Sequence, residues 1–177
     1  MIVSERVILV PFNQEHYSAI FNGDNKRLGE LLIVSTPRCW SEFAAANEAI
    51  NSLYSIFKSL GGDVRWGSYF IVCKTENTLI GTCCFKGTPD SNNSVEIGYE
   101  INEAYQNKGF ATEVSTALIR YAFSQNVSAI KAHTLAHENA SVSVLKKCNF
   151  IFASEINDPE DGLVWEWILV KGKNGIN

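Results

Sequence analysis

Between Val95 and Phe123 the spacing of apolar residues changes period. It is two along Val95-Glu96-Ile97-Gly98-Tyr99-Glu100-Ile101, and three to four along Val114, Ala117, Leu118, Tyr121 and Ala122. The first period marks a strand and the second a helix, so Gln106-Asn107-Lys108-Gly109-Phe110-Ala111-Thr112 between them is a strand-to-helix turn. Such a turn constrains a chain strongly, because the first amides of the helix have no partner within it. An anion can supply one. Gly109 reaches positive φ without penalty, Asn107 tolerates it better than most residues, and Ala111 is small enough to let a ligand approach the backbone. The helix dipole favours an anion there by about 0.3 to 1 kcal/mol, and each amide bond to a charged oxygen by roughly 1.5 to 3. The spacing is neither that of a P-loop nor that of a dinucleotide fingerprint, and Gly-bearing turns of this kind are often purely structural.

The rest of the chain supplies alternating strands and helices. A strand is predicted over about Arg6 to Val10, ended by Pro11, then a short helix from about Glu15 to Phe21 and a turn at Asn22-Gly23-Asp24-Asn25. Phe43, Ala46, Ile50, Leu53 and Phe57 form the stripe of an amphipathic helix over Ser41 to Lys58, with Ser41 as its cap. Strands at about Gly67 to Cys73, Leu79 to Phe85 and Val95 to Ile101 are close enough to form an antiparallel meander. Helix from Ala111 to about Phe123, strand from Ala129 to Leu135, helix from about Asn139 to Lys147 and a last strand from Leu163 to Val170 complete the order. The fold class this predicts is mixed α/β, and no repeat or linker divides residues 1–177, so one domain is expected.

A net charge of −4 argues against broad attraction to nucleic acid or to anionic lipid. No apolar stretch approaches the roughly 20 residues a bilayer span requires, and the N-terminal residues read as strand rather than signal peptide, so a cytoplasmic protein is expected. Cys39, Cys73, Cys83, Cys84 and Cys148 show neither metal spacing nor disulfide density and are expected to be buried thiols. Cys83 and Cys84 must face opposite sides of their strand. His16, His133 and His137 are too scattered to predict a metal site, and core or surface roles are expected for all three. A homodimer is left open.

Several motifs together resemble one family. Val95-Glu96-Ile97-Gly98-Tyr99-Glu100-Ile101 followed by Gln106-x-x-Gly109-x-Ala111-Thr112-Glu113 is similar to the central signature of the GNAT superfamily of N-acetyltransferases. Ser4 to Phe12, Tyr121-Ala-Phe123, and Ala140-Ser141 through Phe150 resemble its ribosomal-protein N-terminal (serine/alanine) acetyltransferase-like branch, so the likeness spans about residues 4 to 170. The resemblance implies a GNAT-like mixed sheet, splayed at its centre, with helices on both faces. It implies acetyl-CoA as co-substrate, inserted between the Val95 and Ala129 strands. The pyrophosphate would rest on the amides of Asn107, Lys108, Gly109, Phe110, Ala111 and Thr112, and the pantetheine arm on backbone groups of Tyr99 and Ile101. Asn139 is a further candidate contact.

The resemblance implies transfer of an acetyl group to a primary amine. Glu96 and Glu100, four apart on one strand, share a face and can act on an amine directly or through water; salt bridging is their structural alternative. Glu96 is the candidate catalytic or acceptor-positioning residue, because the family often has an acid there. Many relatives release the thiolate with a tyrosine where this chain has Leu145, so Ser141 is the candidate that bonds the sulfur, with helix capping as its alternative. Asn107 and Asn149 stand where glycines are usual, and Glu138 where asparagine is usual. Trp40 and Trp66 can line an acceptor site or pack in the core, while Trp165 and Trp167 share a face as sheet packing. The acceptor is expected to be a protein or peptide α-amine. The alternatives are a small amine, such as an amino sugar, antibiotic or polyamine, and a non-catalytic acyl-CoA sensor.

Overall fold

Turn residues and period-two segments divide the chain into eight strands: β1 Ile2–Val3, β2 Val7–Pro11, β3 Ser68–Cys73, β4 Thr78–Phe85, β5 Ser94–Ile101, β6 Ala129–Leu135, β7 Ile151–Asp158 and β8 Gly162–Val170. Among the described residues five α-helices join them: α1 Gln14–Phe21, α2 Asn25–Leu32, α3 Asn47–Ser59, α4 Phe110–Ser124 and α5 Ala140–Lys147. The computed structural model describes residues 1–38, 40–41, 47–159 and 162–172. The strands form one open sheet in the order β1-β2-β3-β4-β5-β6-β8-β7, antiparallel except where β5 meets β6. The meander from β3 to β5 is as the turn spacing predicts.

Period-two alternation in the central strands sends their side chains into two different cores. On one face Val7, Leu9, Ile71, Cys83, Phe85 and Ile97 pack with Val114, Leu118 and Ala122 of α4 and with Val142 and Leu145 of α5. On the other, Phe12, Phe70, Leu79 and Cys84 pack with Tyr17 of α1, Leu28 of α2, and Ile50 and Leu53 of α3. Cys83 and Cys84 therefore lie in opposite cores, both buried and reduced, as are Cys73 and Cys148; Cys39 lies outside the described residues. Burial pushes the Cys84 thiol up to about 11, which keeps it protonated and inert.

Three elements depart from the expectation. The turn predicted at Asn22-Gly23-Asp24-Asn25 ends one residue early, because Asn25 begins α2, whose N-terminus is capped by Asp24 accepting from the Arg27 amide. Leu28 is that helix's one buried residue, so no apolar stripe announces it. β7 is an edge strand with mostly exposed side chains and lacks the apolar alternation that marks a half-buried strand. β1 is two residues long. For α3, Ile50, Leu53 and Phe57 face the core as the stripe predicts, whereas Phe43 and Ala46 lie outside the described residues. Ser41, expected to cap that helix, donates its hydroxyl to Glu100 at 2.5 Å.

Asn107 and Asn149 both take the left-handed conformation, at φ 59° and 64°, so each performs the turn of the glycine it replaces.

Candidate functional site

The sheet opens at its centre. β5 pairs with β6 only over Ser94, Val95 and Glu96, then continues through Ile101 paired to β4 alone. Two bonds mark the phase of that second ladder: the Lys86 amide donates to the Glu96 carbonyl, and the Asn102 amide to the Ile80 carbonyl. Because bonding alternates along an antiparallel pair, Gly98 and Glu100 also turn their backbone toward β4. Ile97, Tyr99 and Ile101 turn theirs toward the gap. The Ile101 carbonyl is taken by the Gln106 side chain at 2.9 Å. Close approach of β4 and β5 depends on Gly81, where a Cβ would lie 2.1 Å from the Glu100 carbonyl oxygen.

One end of this cleft is the Gln106–Thr112 turn. Side chains cap α1, α2 and α5: Asn13, Asp24 and Asn139 each accept from an amide of their own first turn. Helix α4 begins at Gly109, with φ 81°, and carries no side-chain cap. Its first intrahelical bond is the Glu113 amide to the Gly109 carbonyl, so the amides of Phe110, Ala111 and Thr112 precede the helical ladder. An uncapped helix start facing an open cleft fits a phosphate group. The Lys108 ammonium is turned back onto the Ala104 carbonyl at 2.8 Å, and the Phe110 ring is buried.

At the other end, Glu96 Oε1 lies 2.5 Å from Lys86 Nζ and 3.0 Å from His133 Nδ1, while His133 Nε2 is 3.6 Å from Glu166 Oε2. Burial pushes the Glu96 carboxyl up, but hydrogen bonds and charge from His133 and Lys86 outweigh it and hold the group below the usual carboxylate value. The bond to Glu96 raises His133 against the opposing effect of burial. Beside them is a cavity of about 500 Å³ whose lining includes Lys86, His133, His137, Asn139 and Ser141. Ser141 thus lines this space directly, from a helix start, while Glu96 stands behind it, bound to the Lys86 and His133 side chains that line it.

Ser141 is not the cap of α5. Asn139 is, accepting from the Val142 amide at 3.0 Å while donating to the His137 carbonyl at 3.0 Å. The Tyr99 hydroxyl reaches across the cleft to the Ser141 carbonyl at 3.4 Å, and burial pushes that phenol up to about 12. Glu100, four residues further along β5 than Glu96, accepts instead from the Ser41 hydroxyl. Trp40 and Trp66 are core residues, 4% and 6% exposed. Trp165 and Trp167 contact each other edge to face, which is the expected sheet packing.

Reading from the residues alone overlooked Lys86, His133 and Glu166. A period of two places His133 on the face of Lys131, but only the pairing of β5 with β6 and of His133 with Glu166 sets the imidazole between the Glu96 and Glu166 carboxylates. Among the described residues no group of His, Cys, Asp or Glu is arranged to hold a metal ion, and no helix is long and apolar enough to cross a membrane.

The open splayed sheet, the bare helix start and the central cleft are the features that a resemblance to the GNAT family implies. The chain belongs to that family: the acetyltransferase (GNAT) domain matches residues 6–151. It is 35% identical over 106 residues to the uncharacterized N-acetyltransferase YjdG of Bacillus subtilis, covering 59% of this chain and 62% of that relative, so the match spans about three-fifths of the relative's length. Two solved structures share the fold at 18% identity and a TM-score of 0.66. They are RimL, a ribosomal L7/L12 alpha-N-protein acetyltransferase in complex with coenzyme A (95% and 96% of the two chains covered), and the spermidine N-acetyltransferase SpeG of Vibrio cholerae (96% of each).

Proposed function

We propose that this chain transfers an acetyl group from acetyl-CoA to a primary amine, and that the preferred acceptor is a protein or peptide α-amine. The observation that carries the donor assignment is the uncapped α4 start, with Gly109 left-handed, opening onto backbone groups of Ile97, Tyr99 and Ile101 that face the gap. Bound acetyl-CoA would supply the thioester, whose C–S bond breaks as the amine nitrogen bonds to the carbonyl carbon. The amides of Asn107 to Thr112 would hold its pyrophosphate, and the β5 edge would align the arm toward the cavity at Ser141.

The acceptor preference follows from the state of Glu96. Its carboxyl, held low by His133 and Lys86, is ionised but weakly basic. It suits the orienting of an amine, or acceptance of its proton through water, better than stripping a strongly basic ammonium. A lysine-like amine is only about 0.04% neutral at pH 7, whereas an α-amine is roughly 10 to 17% neutral and needs little help from a base. The Ser141 hydroxyl would donate to the sulfur as the thiolate departs. RimL acts on an α-amine and SpeG on spermidine, so both acceptor classes occur on this fold.

A thiol-release assay with acetyl-CoA, run over peptides and small amines, tests the reading. Peptides with free α-amines should release CoA, and the same peptides with blocked N-termini should not. Turnover of polyamines in place of peptides would move the acceptor to the small-amine class. Binding of acetyl-CoA without release to any amine would leave a sensor.

A further inference from the structure

Arg6 immediately precedes β2, far in sequence from the Gln106–Thr112 turn, yet it touches that turn at several points. Its backbone amide donates to Glu113 Oε1 and its Nε to Glu113 Oε2, both at 2.7 Å, and its Nη1 donates to the Lys108 carbonyl at 2.9 Å. The guanidinium carbon stands 4.4 Å from the centre of the Phe110 ring. Its Nη2 is 3.4 Å from where a Cβ on Gly109 would be.

Glu113 is the acidic residue of the first turn of α4. A carboxylate there is attracted by the positive end of the helix, and its charge opposes that of an incoming phosphate. In this protein that carboxylate is drawn sideways onto Arg6. Its side chain is only 12% exposed, so solvent does little to screen it. Burial pushes the Glu113 carboxyl up, and the bonds from Arg6 outweigh that, so it remains charged and needs its partner.

We propose that Arg6 is a positioning residue of the coenzyme site: it cancels the Glu113 charge and braces the Lys108–Phe110 backbone, so that the bare start of α4 accepts the CoA pyrophosphate. Lysine cannot substitute fully, because one ammonium cannot hold a carboxylate, a carbonyl and a ring face together in the way a planar fork does. The inference rests on the acetyl-CoA reading above.

Calorimetric titration of the full chain with CoA needs no acceptor and separates the two. Wild-type protein should bind CoA. Arg6→Ala should weaken that binding by about tenfold or more, and Arg6→Lys by about threefold to tenfold, with melting curves showing both variants folded at the titration temperature. Adding Glu113→Gln to Arg6→Ala should restore at least threefold of the lost affinity, because the uncompensated charge is gone; a brace that was only structural would show no such recovery. If Arg6→Ala does not fold, the Lys variant with and without Glu113→Gln carries the same comparison. Unchanged affinity in a folded Arg6 variant, or no recovery in the double variant, overturns the role of Arg6 alone. Failure of the wild-type chain to bind CoA overturns the coenzyme reading and this inference with it.

Discussion

The two ends of the central cleft are built by different means. At the Gln106–Thr112 end the groups offered to a ligand are backbone amides, oriented by left-handed Asn107 and Gly109 and by the helix that follows. At the Glu96 end they are side chains, drawn from β5, β6, β8 and α5 and from Lys86 just past β4, and the charged ones depend on one another. A backbone site tolerates most side-chain replacement but not a change of conformation. A side-chain cluster is the reverse, since removing one member leaves half-buried charges such as Glu96 without a partner.

The largest effect should come from the cluster. Glu96→Gln keeps the shape but removes the charge, and is expected to lower kcat/KM about a hundredfold while CoA affinity measured by calorimetry stays within twofold. An equal loss of CoA binding would erase the distinction between the two ends. Next is Gly109→Val, which forces a β-branched residue to φ 81°. Strain of about 1 to 3 kcal/mol and displacement of Arg6 should weaken CoA roughly tenfold, with kcat at saturating donor little changed. Ser141→Ala should lower kcat by about threefold to tenfold without altering the α5 cap, because Asn139 provides it. Equal thermal stability of that variant and the wild type would check the second half of the claim.

The pH dependence sharpens the contrast further. The folded His133 is raised above 6.5, so its contribution to stability is full below that value and is lost as pH rises through the folded value. Glu96 is lowered below 4.5, so its contribution is present above 4.5 and is lost as pH falls through the folded value. The pair therefore stabilises most between about pH 4.5 and 6.5. Urea unfolding should show His133→Gln costing more at pH 5.5 than at pH 8.5, and the reverse order would mean that the imidazole is not charged against Glu96. The smallest effect belongs to the backbone end: Asn107→Gly keeps the left-handed turn and should change both CoA affinity and stability by less than about 1 kcal/mol.

Legibility followed the same division. The turn could be read from Gly109 and the change of period around it, since both are local properties of the chain. Glu96 and Ser141 could be named, but not their surroundings. Nothing near Glu96 in sequence indicates that Lys86 and His133 share its carboxylate, and nothing near Asn107 indicates that Arg6 braces the loop it helps to form. Helix α2 and strand β7 escaped for a related reason: one buries a single leucine and the other lies on a sheet edge, so neither has a periodic apolar face.

By itself, then, the amino-acid order determined most of the elements and the bare turn before α4, because periodicity, positive-φ residues and free helix amides act over a few neighbouring positions. Only the tertiary structure decided how the charges are shared. Register between β5, β6 and β8 places Glu96, His133 and Glu166 on one surface, and the packing of β1 against α4 places Arg6, between β1 and β2, on Glu113. Electrostatic interaction depends on separation in space, and that separation is unrelated to distance along the chain until the sheet is assembled.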